Sequence, residues 1–317
     1  RDAKRVFGES LAPEEHQNLV MGHSVRWYAE KTGAASEFPD IDWGMRFDDE
    51  TCLDVMNGDW EQETGFDRNT ATETEYIRDY GLRAIYSNWS YQKNHYKHRE
   101  KYADCSLKWV SPIGGKREGF RVVGDYIATQ NDIENFAEFS DSTSSATWSI
   151  DMHFPNTKNR ETFGEAFRSF AYHRGIRKPY RLPYRCLYAK DADNLFLGGR
   201  IVSASHIALS VLRVMRTLGQ FGEVVGLAAQ ICKKYDCLPR QVYEEHLDEF
   251  IGLLHRGVKI GDAFECDVGK EECYHFKEFG WFFFDPDHSE AKRPLPEEAL
   301  KCIRDIGLEH KYPLYKK

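Results

Sequence analysis

A short apolar run followed by two glycines and a long amphipathic pattern is the feature that most constrains this fold. Leu195, Phe196 and Leu197 are apolar in succession, and Gly198-Gly199-Arg200 closes the run. Such a run is typical of a strand buried on both faces, and the glycines indicate that backbone passes close to something bulky. Apolar residues then recur at helical spacing over residues 218–231. The stretch predicts a buried strand, a turn and a helix that begins between residues 213 and 219.

The N-terminus of that helix is a candidate binding position. Its first N–H groups have no partner within the helix, and the aligned peptide dipoles place a partial positive charge there. An anion or the electron-rich edge of a flavin ring suits such a position. Ordinary strand-loop-helix packing with glycines is the alternative.

Several short motifs occur in a fixed order along the chain. They are Phe7-Gly8-Glu9-Ser10-Leu11-Ala12-Pro13, Gly115-Lys116-Arg117-Glu118, Gly124-Asp125-Tyr126, Pro183-Tyr184-Arg185-Cys186-Leu187, Asp193-Asn194-Leu195, Gly198-Gly199-Arg200, Arg213-Val214-Met215 and Gly219-Gln220. In this order they resemble the middle and C-terminal segments of a bacterial FAD-dependent oxidoreductase family. The resemblance covers most of residues 7–242.

The resemblance implies a fold of class α/β with α+β. A substrate domain with a mixed β-sheet is expected over residues 1–185. Residues 186–255 are expected to supply the C-terminal strand and helix of a Rossmann-like FAD-binding domain, and residues 256–317 form an extension of unknown role. Within the first domain, Thr70 and Glu73 have the spacing of a capping box, and the apolar pattern that follows predicts a helix at about residues 70–93.

Other segments show weaker periodicity. Alternating patterns predict strands near residues 19–28, 107–110, 120–129 and 148–153, and helical patterns cover residues 239–255 and 296–306.

The resemblance also implies an enzyme in which a small organic substrate, for example a carbohydrate-like one, gives hydride to FAD. A family of this type needs a G-x-G-x-x-G turn for the pyrophosphate, and no such turn occurs in these 317 residues. We therefore expect an N-terminal FAD-binding segment or chain as a partner, and an exposed, poorly soluble surface in its absence. The alternative is a substrate-binding or interaction module that does not hold FAD unaided.

Close approach of a cofactor requires small residues and hydrogen-bond donors around the predicted helix start. The candidate cofactor-binding residues, which the resemblance places there, are Gly198, Gly199, Arg200, Ser203, Arg213, Thr217, Gly219, Gln220 and Gly222.

Substrate binding and catalysis have their own candidates. Arginine guanidinium groups with polar groups nearby can bind a carboxylate or a polyhydroxylated substrate. The substrate-binding candidates are Arg117, Arg121, Asp125, Tyr126 and Arg185. An ion-pair network is an equally good explanation of the first four. The catalytic candidates are His153 with Asp151 as its orienting acid, Tyr184 and His206. Structural roles remain open for each, with Tyr184 as a core aromatic residue.

Composition and the spacing of residues argue against several classes of protein. The net charge of −8, with acidic residues between the basic ones, argues against a nucleic-acid surface. No apolar run reaches the ~20 residues of a membrane span. The cysteines lack a C-x-x-C pair, and no metal site is predicted; Cys266 and Cys273 are either a disulfide or two free thiols. A targeting segment is not part of this sequence, so cytoplasmic and periplasmic locations are both compatible with it. A homo-oligomer is left open.

Overall fold

The computed structural model describes residues 20–176 and 179–256, together with the backbone of three short strands, Arg5–Val6, Val258–Ile260 and Phe264–Cys266. The motif at residues 7–13, the helix predicted at residues 296–306 and the side chains of Cys266 and Cys273 lie outside the described residues.

The described part of the chain contains fourteen short strands, seven α-helices and two short 3-10 helices, Arg99–Tyr102 and Tyr184–Cys186. The strands are β1 (Arg5–Val6), β2 (His23–Ser24), β3 (Trp27–Lys31), β4 (Asn57–Gly58), β5 (Glu63–Thr64), β6 (Cys105–Val110), β7 (Gly115–Lys116), β8 (Arg121–Val122), β9 (Ser142–Ala146), β10 (Ile150–Pro155), β11 (Ser169–Arg174), β12 (Tyr180–Pro183), β13 (Val258–Ile260) and β14 (Phe264–Cys266). The helices are α1 (Thr74–Asn94), α2 (Gln130–Asn135), α3 (Thr157–Phe163), α4 (His206–Leu212), α5 (Met215–Tyr235), α6 (Pro239–Glu245) and α7 (Leu247–Arg256).

The described residues form two compact units, each built from separate stretches of chain. The α1 unit contains residues 20–118 and 153–171, and the α5 unit contains residues 119–152 and 172–256. This division differs from the contiguous domains predicted at 1–185 and 186–255. The two divisions differ because segments far apart in the sequence pair with each other. Strand β12 pairs antiparallel with β9, and Gln220 of α5 forms hydrogen bonds with the backbone of Ser145 in β9. These bonds join residues 142–146 to the later part of the chain.

Helix α1 supplies the core of its unit. Ile77, Ala84, Ile85 and Trp89 recur at helical spacing and are buried. Trp89 contacts Trp27 and Tyr102 edge-on, with ring centroids 6.0 and 5.9 Å apart. The predicted helix is confirmed, but it begins at Thr74 and the predicted capping box is wrong.

The carboxylate of Glu73 is engaged before the helix begins. It accepts a hydrogen bond from the backbone N–H of Asn69, and Glu73 itself is the residue that precedes the first turn. Two three-stranded antiparallel sheets complete the α1 unit, in the orders β5-β2-β7 and β4-β3-β6.

Helix α5 confirms the amphipathic pattern of residues 218–231. Phe221, Val224, Ala228 and Ile231 are buried, whereas Gly219, Gly222 and Gly226 lie on the exposed side. The segment before it, expected to be a turn rich in serine, alanine and histidine, forms α4. Ser205 caps this helix by accepting from the N–H of Ala208. The helical pattern over 239–255 is divided at His246 into α6 and α7.

The predicted buried strand at residues 195–197 is wrong. Phe196 forms a single isolated antiparallel bridge with Tyr188. Ala189 donates its N–H to the carbonyl of Leu195, and Leu197 donates to Leu187. Because these backbone groups are satisfied by residues only a few positions upstream, the run needs no neighbouring strand of a parallel sheet.

The sheets are small. The ladders β1–β8, β2–β5, β2–β7, β3–β4, β3–β6, β9–β12 and β13–β14 are antiparallel, and an isolated parallel bridge joins Ala128 to Ala204. The protein therefore combines helices with small antiparallel sheets, and the described residues do not include a Rossmann-like parallel sheet. Among them there is also no helix whose length and apolar character would let it cross a membrane.

We predict that Trp89→Ala lowers the free energy of unfolding of the α1 unit by about 3–5 kcal/mol, because it removes a fully buried ring and leaves a cavity. Trp43→Ala is the matched control: Trp43 is 59% exposed, so its loss should change stability by less than about 0.5 kcal/mol. Thermal and denaturant unfolding measure both. Equal destabilisation by the two variants would show that the core is not centred on α1.

Candidate functional site

The turn after residue 197 has the backbone conformation that glycine favours. Gly199 has a φ of +102°, in the left-handed region where other residues are strained. A Cβ atom added at Gly199 would meet no described atom within 4 Å, so the space above this backbone is open. Arg200 follows with an exposed side chain that forms no hydrogen bond or ion pair with the described residues. This turn leaves both backbone and a guanidinium accessible to a ligand.

The N-terminus of α5 is also accessible. Val214 precedes the helix and provides no side-chain cap, so the first N–H groups are not satisfied by a capping side chain. Met215, the first helical residue, is 90% exposed. A Cβ atom at Gly219 or Gly222 would meet no described atom within 4 Å. A flat ligand can therefore approach the first turns of α5 closely.

Three side chains predicted to bind the cofactor are already bonded within the protein. Ser203 donates to the carbonyl of Tyr126 at 2.6 Å. Arg213 pairs with Asp151 at 2.6 Å. Gln220 accepts from the N–H of Ser145 at 2.8 Å and donates to its carbonyl at 3.2 Å. These side chains position the turn and the helix, and Thr217 is buried beside them.

A buried charged cluster lies in the α1 unit. His153 Nδ1 is 2.7 Å from Glu63 Oε2, and Arg117 Nη1 is 3.4 Å from Glu63 Oε1. Arg117 also donates to the carbonyl of Trp60 at 3.1 Å, as does the hydroxyl of Ser24 at 2.9 Å. The Trp60 ring packs edge-on against His153 with centroids 5.6 Å apart, and Trp60 is 46% exposed. The structure thus joins the catalytic candidate His153 to the substrate-binding candidate Arg117 through Glu63.

Glu63 is ionised in this cluster. Its burial alone would raise the pKa of the carboxyl group, but the charges of His153 and Arg117 outweigh burial and lower the pKa from 4.5 to about 2. An ionised Glu63 requires a proton on the His153 atom that faces it, so Nδ1 donates to Oε2. The ring atom that can gain or lose a proton is then Nε2.

The other substrate-binding candidates lie in the α5 unit and are bonded there. Asp125 pairs with Arg240 at 2.6 Å and accepts from the hydroxyl of Tyr188 at 2.8 Å. Tyr126 donates to Asp132 at 2.8 Å, and burial together with this hydrogen bond raises the pKa of Tyr126 to about 12.

Arg185 is partly buried and Arg121 is fully buried. Arg185 donates two hydrogen bonds to the buried carboxylate of Asp141, from Nε to Oδ2 at 2.9 Å and from Nη2 to Oδ1 at 3.1 Å. These contacts support the ion-pair alternative for Asp125 and Tyr126, and Arg185 also forms an ion pair.

The remaining catalytic candidates are placed differently from expectation. The acid bonded to His153 Nδ1 is Glu63, whereas Asp151 binds Arg213 and lies 3.3 Å from His173 Nε2. Tyr184 is fully buried, donates its hydroxyl to the carbonyl of Pro239 at 2.8 Å and packs on Phe250, which supports the core alternative. His206 is the buried first residue of α4.

Comparison with known families decides the assignment. The family model described as FAD dependent oxidoreductase matches residues 9–251. This chain belongs to the FAD dependent oxidoreductase family. No significant match was found among the curated proteins or among the solved structures. Membership makes the protein an oxidoreductase whose cofactor is FAD.

The accessible backbone of the α5 unit fits this cofactor. A flavin needs close backbone approach and N–H donors toward the edge where negative charge develops on reduction. Gly198, Gly199 and the uncapped first turn of α5 offer both, and Arg200 adds an exposed positive charge. Because Ser203, Arg213 and Gln220 bond within the protein, backbone groups are the main contacts that this segment offers.

Glu63 is the functional candidate that the sequence did not suggest. It lies on β5, 90 positions before His153 and far from the family motifs. A two-residue strand gives no periodic signal, and an isolated glutamate in a loop-rich segment resembles an ordinary surface residue. Among the described residues, no group of three histidine, cysteine or acidic side chains could hold a metal ion.

We predict a pH dependence of stability that arises from Glu63. A carboxyl group whose pKa is lower in the folded than in the unfolded protein stabilises the fold above its unfolded pKa, and this stabilisation is lost as the pH falls through the folded pKa. The free energy of unfolding should therefore fall by roughly 3 kcal/mol as the pH falls from 4.5 to about 2.

The Glu63→Gln variant provides the comparison. It should be less stable than the wild type at neutral pH, because Arg117 loses its charged partner and His153 Nδ1 loses its carboxylate acceptor, yet it should lose less stability over the same acidic range. Denaturant unfolding at a series of pH values measures both slopes. Identical slopes would contradict an ionised Glu63.

We also predict that Gly219→Leu lowers FAD content while Gly226→Leu does not. Both glycines are exposed on α5 with no described atom within 4 Å of an added Cβ, so neither change should disturb folding. Leucine favours a helix over glycine by about 0.5–1 kcal/mol. Gly219 lies near the N-terminus of α5, and Gly226 lies about two turns farther along. Flavin absorbance per polypeptide compares the FAD content of the two variants, and a thermal melt checks that both fold. Equal FAD content in the two variants would contradict a cofactor site at the N-terminus of α5.

Proposed function

We propose that this oxidoreductase oxidises a hydroxyl group of an organic, carbohydrate-like substrate by hydride transfer to FAD. Family membership supplies the redox class and the cofactor. The observation that carries the reaction is the buried His153–Glu63 pair beside the half-exposed Trp60. An alcohol must lose a proton from oxygen as its carbon loses hydride, so a positioned base is required.

We assign the base to His153 Nε2. Glu63 holds the proton of His153 on Nδ1 and fixes the plane of the ring, so the second nitrogen accepts the hydroxyl proton. Arg117 offsets part of the charge of Glu63, and the proposed step uses His153 in its neutral form, with the proton on Nδ1. Trp60 covers one edge of the imidazole and offers an apolar surface to the substrate.

FAD, when bound, supplies the acceptor for the hydride. The residues that we assign to hold it are Gly198, Gly199, Arg200 and the first turn of α5, through their N–H groups and one guanidinium. Their part is to orient the ring and to stabilise the negative charge that develops on its edge.

A second function is a substrate-binding module that does not hold FAD unaided. The observation that favours it is the absence of a G-x-G-x-x-G turn from these 317 residues. The same observation leads us to propose that a further FAD-binding segment or chain completes the cofactor site. Flavin absorbance of the 317-residue chain, purified alone and together with such a segment, separates the two functions.

We predict that His153→Gln lowers the rate of flavin reduction by about 10²–10⁴-fold while FAD content is retained. Anaerobic bleaching of the flavin band by a panel of sugars and sugar alcohols measures this rate. His95→Gln is the matched control, because His95 also bonds an acid, Asp40 at 2.8 Å, but on the surface. That control should leave the rate unchanged. If no polyol in the panel bleaches the wild-type flavin, the proposed substrate class is wrong.

A further inference from the structure

A pocket of about 470 Å³ opens on the surface of the α1 unit, at the sheet β4-β3-β6. Arg26, Trp27, Tyr28, Asn57, Asp59 and Trp109 are among the residues that line it. Its volume lies within the range of small-molecule sites, ~300–1,000 Å³. None of these residues is a candidate for the flavin site or the charged cluster.

Two aromatic rings form one wall of the pocket. Tyr28 and Trp109 are direct cross-strand partners on β3 and β6, with ring centroids 6.2 Å apart and planes tilted by 30°. They are 46% and 44% exposed. The other face of β3 buries Trp27 and Ala29 in the core, so the exposed rings are not required by that packing. Adjacent exposed aromatic rings on one sheet face are typical of a binding surface.

The two charged side chains of the pocket, Arg26 and Asp59, form an ion pair. Arg26 Nε is 2.7 Å from Asp59 Oδ1, and Arg26 Nη2 donates to Asp59 Oδ2 at 3.1 Å. Both side chains are about half exposed or more, at 62% and 49%. Because the two charges cancel, the pocket favours a neutral ligand over a phosphate or a carboxylate. The guanidinium, the carboxylate and the exposed amide of Asn57 nevertheless provide several donors and acceptors.

We propose that this pocket binds a neutral pyranose sugar ring. The flat C–H faces of such a ring pack on Tyr28 and Trp109, and its neighbouring hydroxyl groups match the planar groups of Arg26, Asp59 and Asn57. The site is a binding site of the α1 unit and does not require that the bound sugar be the one that is oxidised. Its test is therefore a binding measurement without turnover.

The test is titration of the full chain with four neutral tetrasaccharides: cellotetraose, xylotetraose, maltotetraose and chitotetraose. Calorimetry and Trp fluorescence give the affinity, and binding of at least one probe at millimolar concentration is expected. Trp109→Ala should weaken that binding at least tenfold, which corresponds to about 1.4 kcal/mol. Tyr28→Ala should weaken it as well. Trp109→Phe keeps a flat ring and should retain binding within about threefold, or ~0.7 kcal/mol.

Trp43→Ala is the matched control. Trp43 is also an exposed tryptophan of the α1 unit but does not line the pocket, so its loss should leave the affinity unchanged. Thermal melts show whether each variant folds. If Trp109→Ala does not fold, the comparison of Trp109→Phe and Tyr28→Ala with the wild type still tests the proposal. Failure of all four probes to bind the wild type would overturn the proposal. Binding that persists undiminished in both alanine variants would do the same. Neither outcome bears on flavin reduction.

Discussion

The cost of burying a carboxylate is the constraint on which both units depend. A charged group removed from water is strongly unfavourable unless an opposite charge and hydrogen bonds compensate it. Glu63 and Asp141 are completely buried and Asp151 is nearly so, and each contacts an arginine: Arg117, Arg185 and Arg213 in that order. Each arginine lies far along the chain from its acid, so every pair fixes a long-range contact. Removing one partner leaves an uncompensated charge inside the protein.

One of these pairs also fixes the position of α5. Arg213 lies two residues before the start of α5, and its bond to Asp151 fixes the start of the helix against β10. Gln220, on the second turn, ties the helix to β9 through two hydrogen bonds to Ser145. A helix whose N-terminal turns are held by side chains on its buried side keeps its exposed N–H groups in a fixed direction. Preorganised donors of this kind stabilise developing charge without rearrangement during the reaction.

Local patterns could be predicted from the sequence, and long-range pairs could not. Helices α1 and α5 were predictable because apolar residues at helical spacing are a local signal. The run at residues 195–197 misled because three apolar residues fit equally well in a strand or in a buried loop, and its bonds go to residues 187 and 189. The Glu63–His153 contact joins positions 90 apart, and nothing in either neighbourhood indicates the other. The two interleaved units were unpredictable for the same reason.

The predicted cofactor residues show that a motif can mark an accessible segment whose polar side chains are bonded within the protein. The sequence pointed to residues 198–222, and the structure there has an open glycine turn and an uncapped helix start. Yet Ser203, Arg213 and Gln220 bond to their own protein. Polar side chains beside a cofactor have two tasks, contact with the ligand and support of the backbone that contacts it. A bond to protein at 2.6–2.8 Å commits the side chain to support, so the cofactor contacts that we propose for this segment are made through its backbone N–H groups.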